Sequence, residues 1–178
     1  MIEQIKKTRE YLDYLEEHYN NVQEAWKLIK EKCKDMNFIY DDFKYWSLEE
    51  SIKNHDESKL SVEEFVPYRK FFHPINKEEK DKKAFDAAWE NHKKMNRHHW
   101  ENWTQIDKRE KDKKGIISTV ELDVVENVVD WVAMSIKFGG TAQEFYEKNK
   151  KEIKIPEWAE KFMYAIFSRI YKEENKNG

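Results

Sequence analysis

The chain has little of what sheets, disulfide frameworks and membrane spans are built from. Its 178 residues include four glycines and three prolines, so tight turns between strands are scarce and long helices are the leading prediction. Cys33 is the single cysteine, which excludes an internal disulfide and favours a reducing, cytoplasmic setting. No apolar run approaches the roughly 20 residues of a membrane helix, and the charged N-terminal segment lacks the apolar core of a signal peptide.

An excess of positive charge is also absent. Lysine and arginine number 33 against 36 acidic residues, for a net charge of −3. Proteins that bind nucleic acid neutralise phosphates with clustered basic residues, so a nucleic-acid polymer is not a predicted partner. The one lysine-rich run, DKREKDKK at residues 107–114, alternates in sign and is typical of a solvated loop.

Hydrophobic residues make up 39% of the chain and aromatic residues 15%, enough for one hydrophobic core. The Ser/Thr-x-x-Glu capping box, which satisfies unpaired amides at a helix start, occurs before four apolar runs. These boxes are Ser47–Glu50, Ser61–Glu64, Ser118–Glu121 and Thr141–Glu144.

Helix starts and stops together predict one all-α domain over residues 1–178, a bundle of six to seven helices with a frayed tail at 170–178. Gly139 and Gly140 are read as a helix stop and Pro156 as lying near a start. The predicted helices are 2–34, 47–59, 61–72, 78–104, 118–138 and 156–174, with a short one at 141–150.

Three of these helices carry histidine on a predicted buried face. His18 shares the stripe of Leu15, Val22, Ala25 and Ile29 in the first helix. Taken alone, it is best interpreted as a core histidine with one hydrogen bond.

The segment SIKNHDESKL, residues 51–60, places His55 on the stripe formed by Leu48 and Ile52. Asp56 is one step around the helix, and Lys59 is four residues beyond His55. A His-Asp pair can bind a divalent metal and a lysine can bind phosphate, although the same residues also suit a polar surface.

The predicted helix 78–104 repeats aromatic and polar residues every three or four positions, with His92 and His99 on one face and His98 about 100° away. The two inward histidines could be ligands or could stack as aromatic filler. The repeat consists of Phe85, Trp89, His92, Asn96, His99 and Trp103.

The predicted helix 118–138 places Glu126 and Asp130 at the edge of an apolar stripe. A buried carboxylate is costly unless it is paired, and metal coordination would compensate that cost. A salt-bridged edge carboxylate is the alternative. The stripe consists of Leu122, Val125, Val129 and Ala133.

The order His18, then His55-Asp56, then Asp130 resembles the HD-domain phosphohydrolase superfamily. The resemblance implies an all-helical HD-like fold in which these four residues bind one divalent metal. HDESK looks like the HD-x-x-K form of that superfamily, which implies that Lys59 touches substrate phosphate.

His92 with the pair His98-His99 is similar to the extra histidines of the branch that binds two metals and includes cyclic dinucleotide phosphodiesterases. The spacing here is shorter and the Gly-Tyr-Pro loop of that branch is absent, so cyclic di-GMP hydrolysis is not predicted. NHDESKL, AWENHKKMNRHHW and DWVAMS resemble an uncharacterised small family of phages and Gram-positive bacteria, which implies no substrate.

The resemblance implies a metal-dependent phosphohydrolase that acts on a nucleotide or other small phosphoester through metal-activated water. His92, with His98 or His99, would hold a second metal or act on the leaving group, while Lys59 would stabilise phosphoryl charge and Glu126 would orient a ligand. Imidazole and carboxylate ligands suit one or two ions of Mn, Fe, Co, Ni or Zn.

Two alternatives stay open. The same ligands resemble di-iron oxygenases related to inositol oxygenase, and a phage-type protein that only binds a nucleotide or a host protein would need no catalysis. Trp89, Trp100 and Trp103 could stack on a nucleobase or simply pack in the core. The expected location is the cytoplasm, that of the host if the chain is phage-encoded, and a homo-oligomer is compatible with the sequence.

Overall fold

The computed structural model describes residues 1–103 and 114–172, with side chains from Val120 onward in the helix that begins at Lys114. Every regular element in these ranges is helical, which confirms the all-α prediction. The α-helices are α1 Ile2–Lys32, α2 Asn37–Tyr40, α3 Asp42–Lys53, α4 Phe65–Phe72, α5 Lys82–Met95, α6 Lys114–Phe138, α7 Ala142–Asn149 and α8 Glu157–Ile170. Short 3-10 helices cover Glu57–Leu60, Lys77–Glu79 and Trp100–Asn102.

The chain divides into two compact units. The first unit comprises residues 1–20 and 54–97, and the second comprises residues 21–53 and 98–178. The first thus contains the beginning of α1 with α4 and α5, and the second contains the end of α1 with α2, α3 and α6 to α8. Among the described residues, no helix combines the length and the apolar composition that a membrane crossing requires.

The first unit has a small aromatic core. Tyr11, Tyr68 and Ala88 are buried there, and Phe65 and Phe85 pack against them. The Lys77–Glu79 turn is tied to α4 because Arg69, itself 4% exposed, donates from both of its terminal nitrogens to the Glu79 carboxylate at 3.0 and 2.7 Å. This pairing fixes the chain between α4 and α5, the helix that carries His92.

The second unit has the larger, aliphatic core. It confirms the predicted inward stripes of α1 and α6, and α8 adds Met163, Ile166 and Phe167. Thr141 and Glu144 form both bonds of the predicted capping box at the start of α7, and Gly139 and Gly140 have the positive φ of a helix stop, at 82° and 76°. The buried residues of the α1 and α6 stripes are Val22, Ala25, Ile29, Val125, Val129 and Ala133.

The other three predicted capping boxes are wrong. Ser47 lies inside α3, which begins at Asp42, and its hydroxyl donates to the Phe43 carbonyl at 2.8 Å. Ser61 precedes α4 by four residues, and α6 begins four residues before Ser118. For α4 the reason is Pro67, which is tolerated in a first helical turn but not further inside.

Two predicted helices end at least six residues earlier than expected. The helix predicted over 47–59 ends at Lys53, and the one predicted over 78–104 ends at Met95, where Asn96 turns extended and its side chain donates to the His92 carbonyl at 2.8 Å. His55 and Asp56 therefore lie beyond α3, and His99 does not continue the face of His92. Residues 107–113 of the predicted solvated loop and residues 173–178 of the predicted tail lie outside the described ranges.

Candidate metal centre

The Asp56 carboxylate is the centre of a polar cluster in the first unit. The Nε2 atoms of His18 and His55 lie 3.3 and 3.6 Å from its Oδ2, and Nε2 of His92 lies 3.2 Å from its Oδ1. The Lys59 ammonium donates to Oδ2 at 2.6 Å. Four other residues predicted from the sequence are thus brought together around the Asp56 carboxylate.

The cluster is shielded from solvent. The exposed fractions are 4% for His18, 7% for His55, 9% for Asp56 and 1% for His92. His18 is buried because it follows the inward stripe of α1, as predicted. His55 and Asp56 are buried for another reason, since they lie in the tight turn between α3 and the 3-10 helix Glu57–Leu60.

Backbone conformation directs the Asp56 side chain. Among the non-glycine residues that the structure describes, Asp56 is the one with positive φ, at 59°, in the left-handed region. Asparagine and aspartate enter this region more readily than other side chains, but it remains costly. Such outliers concentrate at functional sites, where the surrounding structure enforces them.

Glu64 is a member of the site that the sequence interpretation missed. Its Oε2 lies 2.8 Å from Nδ1 of His92, its Oε1 accepts from Asn91 at 2.8 Å, and it is fully buried. It was interpreted as the second half of a capping box at Ser61. The local signal that could have corrected this is Pro67, because it requires the helix to start after Glu64.

The electrostatics of the cluster favour an ionised carboxylate. Burial alone would raise the pKa of Asp56, but the charges of His55 and Lys59, with hydrogen bonds from His18 and His92, hold that pKa well below its usual range.

His92 is shifted in the other direction. Burial would lower the pKa of this imidazole, yet hydrogen bonds to Asp56 and Glu64 raise it above the ordinary histidine value. It lies between two carboxylates, which together favour positive charge at this position.

The His92 geometry defines the chemistry that the cluster can support. A carboxylate 2.8 Å from Nδ1 requires a proton on that nitrogen, so a neutral His92 directs the lone pair of Nε2 toward Asp56. Two lone pairs face each other there, and either a proton or a cation must lie between them. The donor set of three imidazoles and one carboxylate fits a divalent transition metal, and a carboxylate on the far nitrogen is the usual partner of a metal-binding histidine.

The second unit contains the remaining predicted residues. His98 Nδ1 lies 3.2 Å from Glu126 Oε1, and Ser51 donates to the other oxygen of Glu126. The rings of His98 and His99 are 4.4 Å apart at their centroids. Asp130 follows Glu126 by about one turn on α6 and is half-buried.

The three tryptophans differ in their surroundings. Trp89 stacks on His92 with ring centroids 5.6 Å apart, so it belongs to the first unit's cluster. Trp103 is 1% exposed in the aliphatic core of the second unit, against which Trp100 packs. Core packing therefore accounts for Trp103.

Fold and cluster together define an all-helical protein with a buried His/Asp centre. The chain belongs to a family of unknown function (DUF5662), whose model matches residues 7–173. Neither the curated proteins nor the solved structures include a match to the chain.

Proposed function

We propose that the protein is a metal-dependent phosphohydrolase acting on a nucleotide or other small phosphoester. In this proposal His18, His55, Asp56 and His92 hold the divalent metal, and Lys59 binds the substrate phosphate. The proposal joins the donor set of the first unit to the resemblance of HDESK to the HD-x-x-K form of HD-domain phosphohydrolases.

One observation carries the proposal: three imidazole nitrogens from separate segments lie within 3.6 Å of the oxygens of one buried carboxylate. A buried histidine in a core needs one hydrogen-bond partner, and three imidazoles directed at one carboxylate exceed what packing requires. Glu64 behind His92 adds the outer partner expected of a metal ligand.

A divalent ion at this position would lower the pKa of a bound water and make it available for attack on phosphorus. The protein's own residues would do the rest. Glu64 keeps the proton of His92 on Nδ1, so that Nε2 presents its lone pair to the metal. The Lys59 ammonium would offset the charge of the phosphoryl oxygens.

The resemblance also assigns Asp130 and His99 to metal binding and His98 and Glu126 to catalysis. These four residues belong to the second unit. Their roles stay part of the proposal, and alanine variants of each test them separately by metal content and by turnover.

The deciding experiment is elemental analysis of tag-free protein after incubation with Mn, Fe, Co, Ni or Zn. We expect one or two equivalents of metal per chain in the wild type and a loss of metal in Asp56→Asn, which removes the charge but tolerates positive φ. Asp13→Ala is the matched control, since Asp13 is an exposed carboxylate in the same unit. Metal-loaded protein is then screened against nucleotides and phosphodiesters.

The alternatives predict other results. A di-iron oxygenase would bind iron and change colour with oxygen, without releasing phosphate. A binding protein would bind its nucleotide or host partner equally well with Lys59 or His98 replaced. Absence of metal from the wild type under every condition would exclude both enzymes and leave His92 as an imidazolium between two carboxylates.

A further inference from the structure

The buried hydroxyls of two tyrosines in the first unit do not belong to the proposed metal centre. Tyr11 on α1 is 0% exposed and Tyr68 on α4 is 5% exposed. Neither phenol oxygen has a hydrogen-bond partner within residues 1–103 and 114–172. Buried hydroxyls are nearly always paired, so these two tyrosine hydroxyls suit a bound ligand as their partner.

Tyr68 borders the metal centre directly, and Tyr11 is connected to it through the ring of Tyr14. The ring of Tyr68 lies 5.9 Å from that of His92, centroid to centroid. Tyr11 stacks on Tyr14 at 6.4 Å, and Tyr14 stacks on His18 at 6.5 Å. The two phenols therefore flank the cluster through its two outer histidines, one on α1 and the other on α5.

The electrostatic surroundings of the two hydroxyls are nearly the same. Burial raises the pKa of both tyrosines, and the Lys59 ammonium is the strongest opposing influence on each. Both phenols thus keep their protons at neutral pH and remain donors. Tyr11 and Tyr68 are buried in the same aromatic core, and the Lys59 ammonium acts on both.

Three donors with no acceptor among them suit an anion. The part of the ligand that contacts the two tyrosine hydroxyls must be small, because these hydroxyls are buried. A terminal phosphate presents three non-bridging oxygens on a narrow end, whereas a phosphodiester has two such oxygens and a substituent on either side. Lys59 now binds the Asp56 carboxylate, and a metal on that carboxylate would compete with it and make the ammonium available to the anion.

We propose that Tyr11, Tyr68 and Lys59 form the subsite for the terminal phosphate of a phosphomonoester. This inference rests on the proposed function and narrows its substrate class from phosphoesters in general to monoesters. The hydroxyls of Tyr11 and Tyr68 donate to non-bridging oxygens that the metal does not bind.

The test is calorimetric titration of inorganic phosphate into full-length, Mn-loaded protein. Tyr11→Phe and Tyr68→Phe each remove one hydroxyl, and we expect each to weaken phosphate binding about tenfold or more while Mn content stays at the wild-type level. Tyr19→Phe is the matched control, because Tyr19 lies on the same helix as Tyr11 and is 41% exposed. Its phosphate affinity should equal that of the wild type.

The melting temperature of the two variants without phosphate distinguishes a phosphate-binding role of the hydroxyls from a structural role. A phenylalanine in place of an unpaired buried tyrosine removes a desolvated hydroxyl, so both variants should melt at or above the wild-type temperature. A clear loss of stability in both would show hydroxyls that already have partners and would overturn the inference.

Other outcomes are equally decisive. Mn binding with no phosphate binding, or phosphate affinity unchanged in both variants, overturns the subsite and leaves the metal centre standing. Failure to bind any of Mn, Fe, Co, Ni and Zn overturns the proposed function; phosphate binding that is then lost in Tyr11→Phe and Tyr68→Phe still supports the anion subsite. Faster hydrolysis of bis(p-nitrophenyl) phosphate than of p-nitrophenyl phosphate would refute the choice of a monoester.

Discussion

Asp56 joins two properties that rarely occur together, a left-handed backbone and a buried, ionised side chain. In the left-handed region the Cβ atom crowds the following carbonyl, which costs roughly 1–2 kcal/mol for most residues. The turn accepts this cost because it directs the carboxylate toward His18 and His92. Asn54 and Asp56 in the sequence NHDES are residue types that enter such turns, a signal that the helical interpretation of residues 47–59 overlooked.

The free-energy cost of the left-handed backbone at Asp56 can be measured separately from the effect of its carboxylate. Asp56→Gly and Asp56→Ala both delete the carboxyl group, but only alanine keeps a Cβ in the left-handed region. We expect the glycine variant to be more stable by about 1 kcal/mol, as measured by urea unfolding. Equal midpoints would mean that the turn relaxes once the side chain is removed.

Glu64 allows a second test at the residue scale. Glu64→Gln keeps the shape but removes the charge that orients His92, and we expect about 10- to 100-fold weaker metal binding in a competition assay with a chelating dye. The control is Glu63→Gln, the same change at the exposed neighbouring residue. Equal metal affinities in the two variants would show that Glu64 does not support a ligand.

Among the elements, local signals predicted some helix ends and missed others. Thr141 and the glycine pair before it were read correctly because the whole signal lies within a few residues. The end of α5 was missed because Asn96 stops the helix partly through a contact outside the local sequence, its side chain donating to Ser58 at 2.7 Å. The spacing of residue types along the sequence does not indicate that contact.

The residues of the candidate site also divide into those that local sequence signals predict and those that depend on contacts with distant segments. His18 could be found because it repeats the spacing of an apolar stripe, and Lys59 because it belongs to a short motif. Glu64 could not, since its role depends on His92, 28 residues away, and its own neighbourhood resembles a helix cap. The expectation that His92 and His99 share one helix face was wrong because apolar periodicity continues across the end of α5.

Two occurrences of the same Ser/Thr-x-x-Glu pattern should differ in their contribution to stability. Thr141 and Ser47 both begin a Ser/Thr-x-x-Glu box, but the Thr141 side chain accepts from the Glu144 amide at 3.0 Å while the Ser47 hydroxyl donates to a carbonyl inside α3. We expect Thr141→Ala to lower the free energy of unfolding by about 1 kcal/mol and Ser47→Ala to leave it within about 0.5 kcal/mol of the wild type.

Thermal or urea unfolding of these two alanine variants gives the comparison directly. A larger loss in Ser47→Ala than in Thr141→Ala would mean that residue 47 caps the helix in solution, as the sequence alone suggested. The pair therefore tests whether α3 begins at Asp42.

The molecule as a whole contains two cores of different character, one small and aromatic, the other larger and aliphatic. Cys33 lies in the aliphatic core and is 0% exposed. Burial raises the pKa of its thiol to about 11, so at pH 8 the reactive thiolate is disfavoured even apart from access. Because Cys33 is the single cysteine of the chain, the reactivity of its thiol measures the opening of the second unit alone.

We therefore expect folded protein at pH 8 to react with Ellman's reagent only as fast as the second unit opens, orders of magnitude more slowly than an exposed thiol. In 6 M guanidinium chloride the same sample should release one equivalent of thionitrobenzoate per chain, which serves as the internal control. Adding urea below the unfolding transition should raise the logarithm of the labelling rate linearly, with a slope that scales with the surface that opening exposes. Immediate labelling of the folded protein would place Cys33 at the surface and contradict the position of the α1 C-terminus in the aliphatic core.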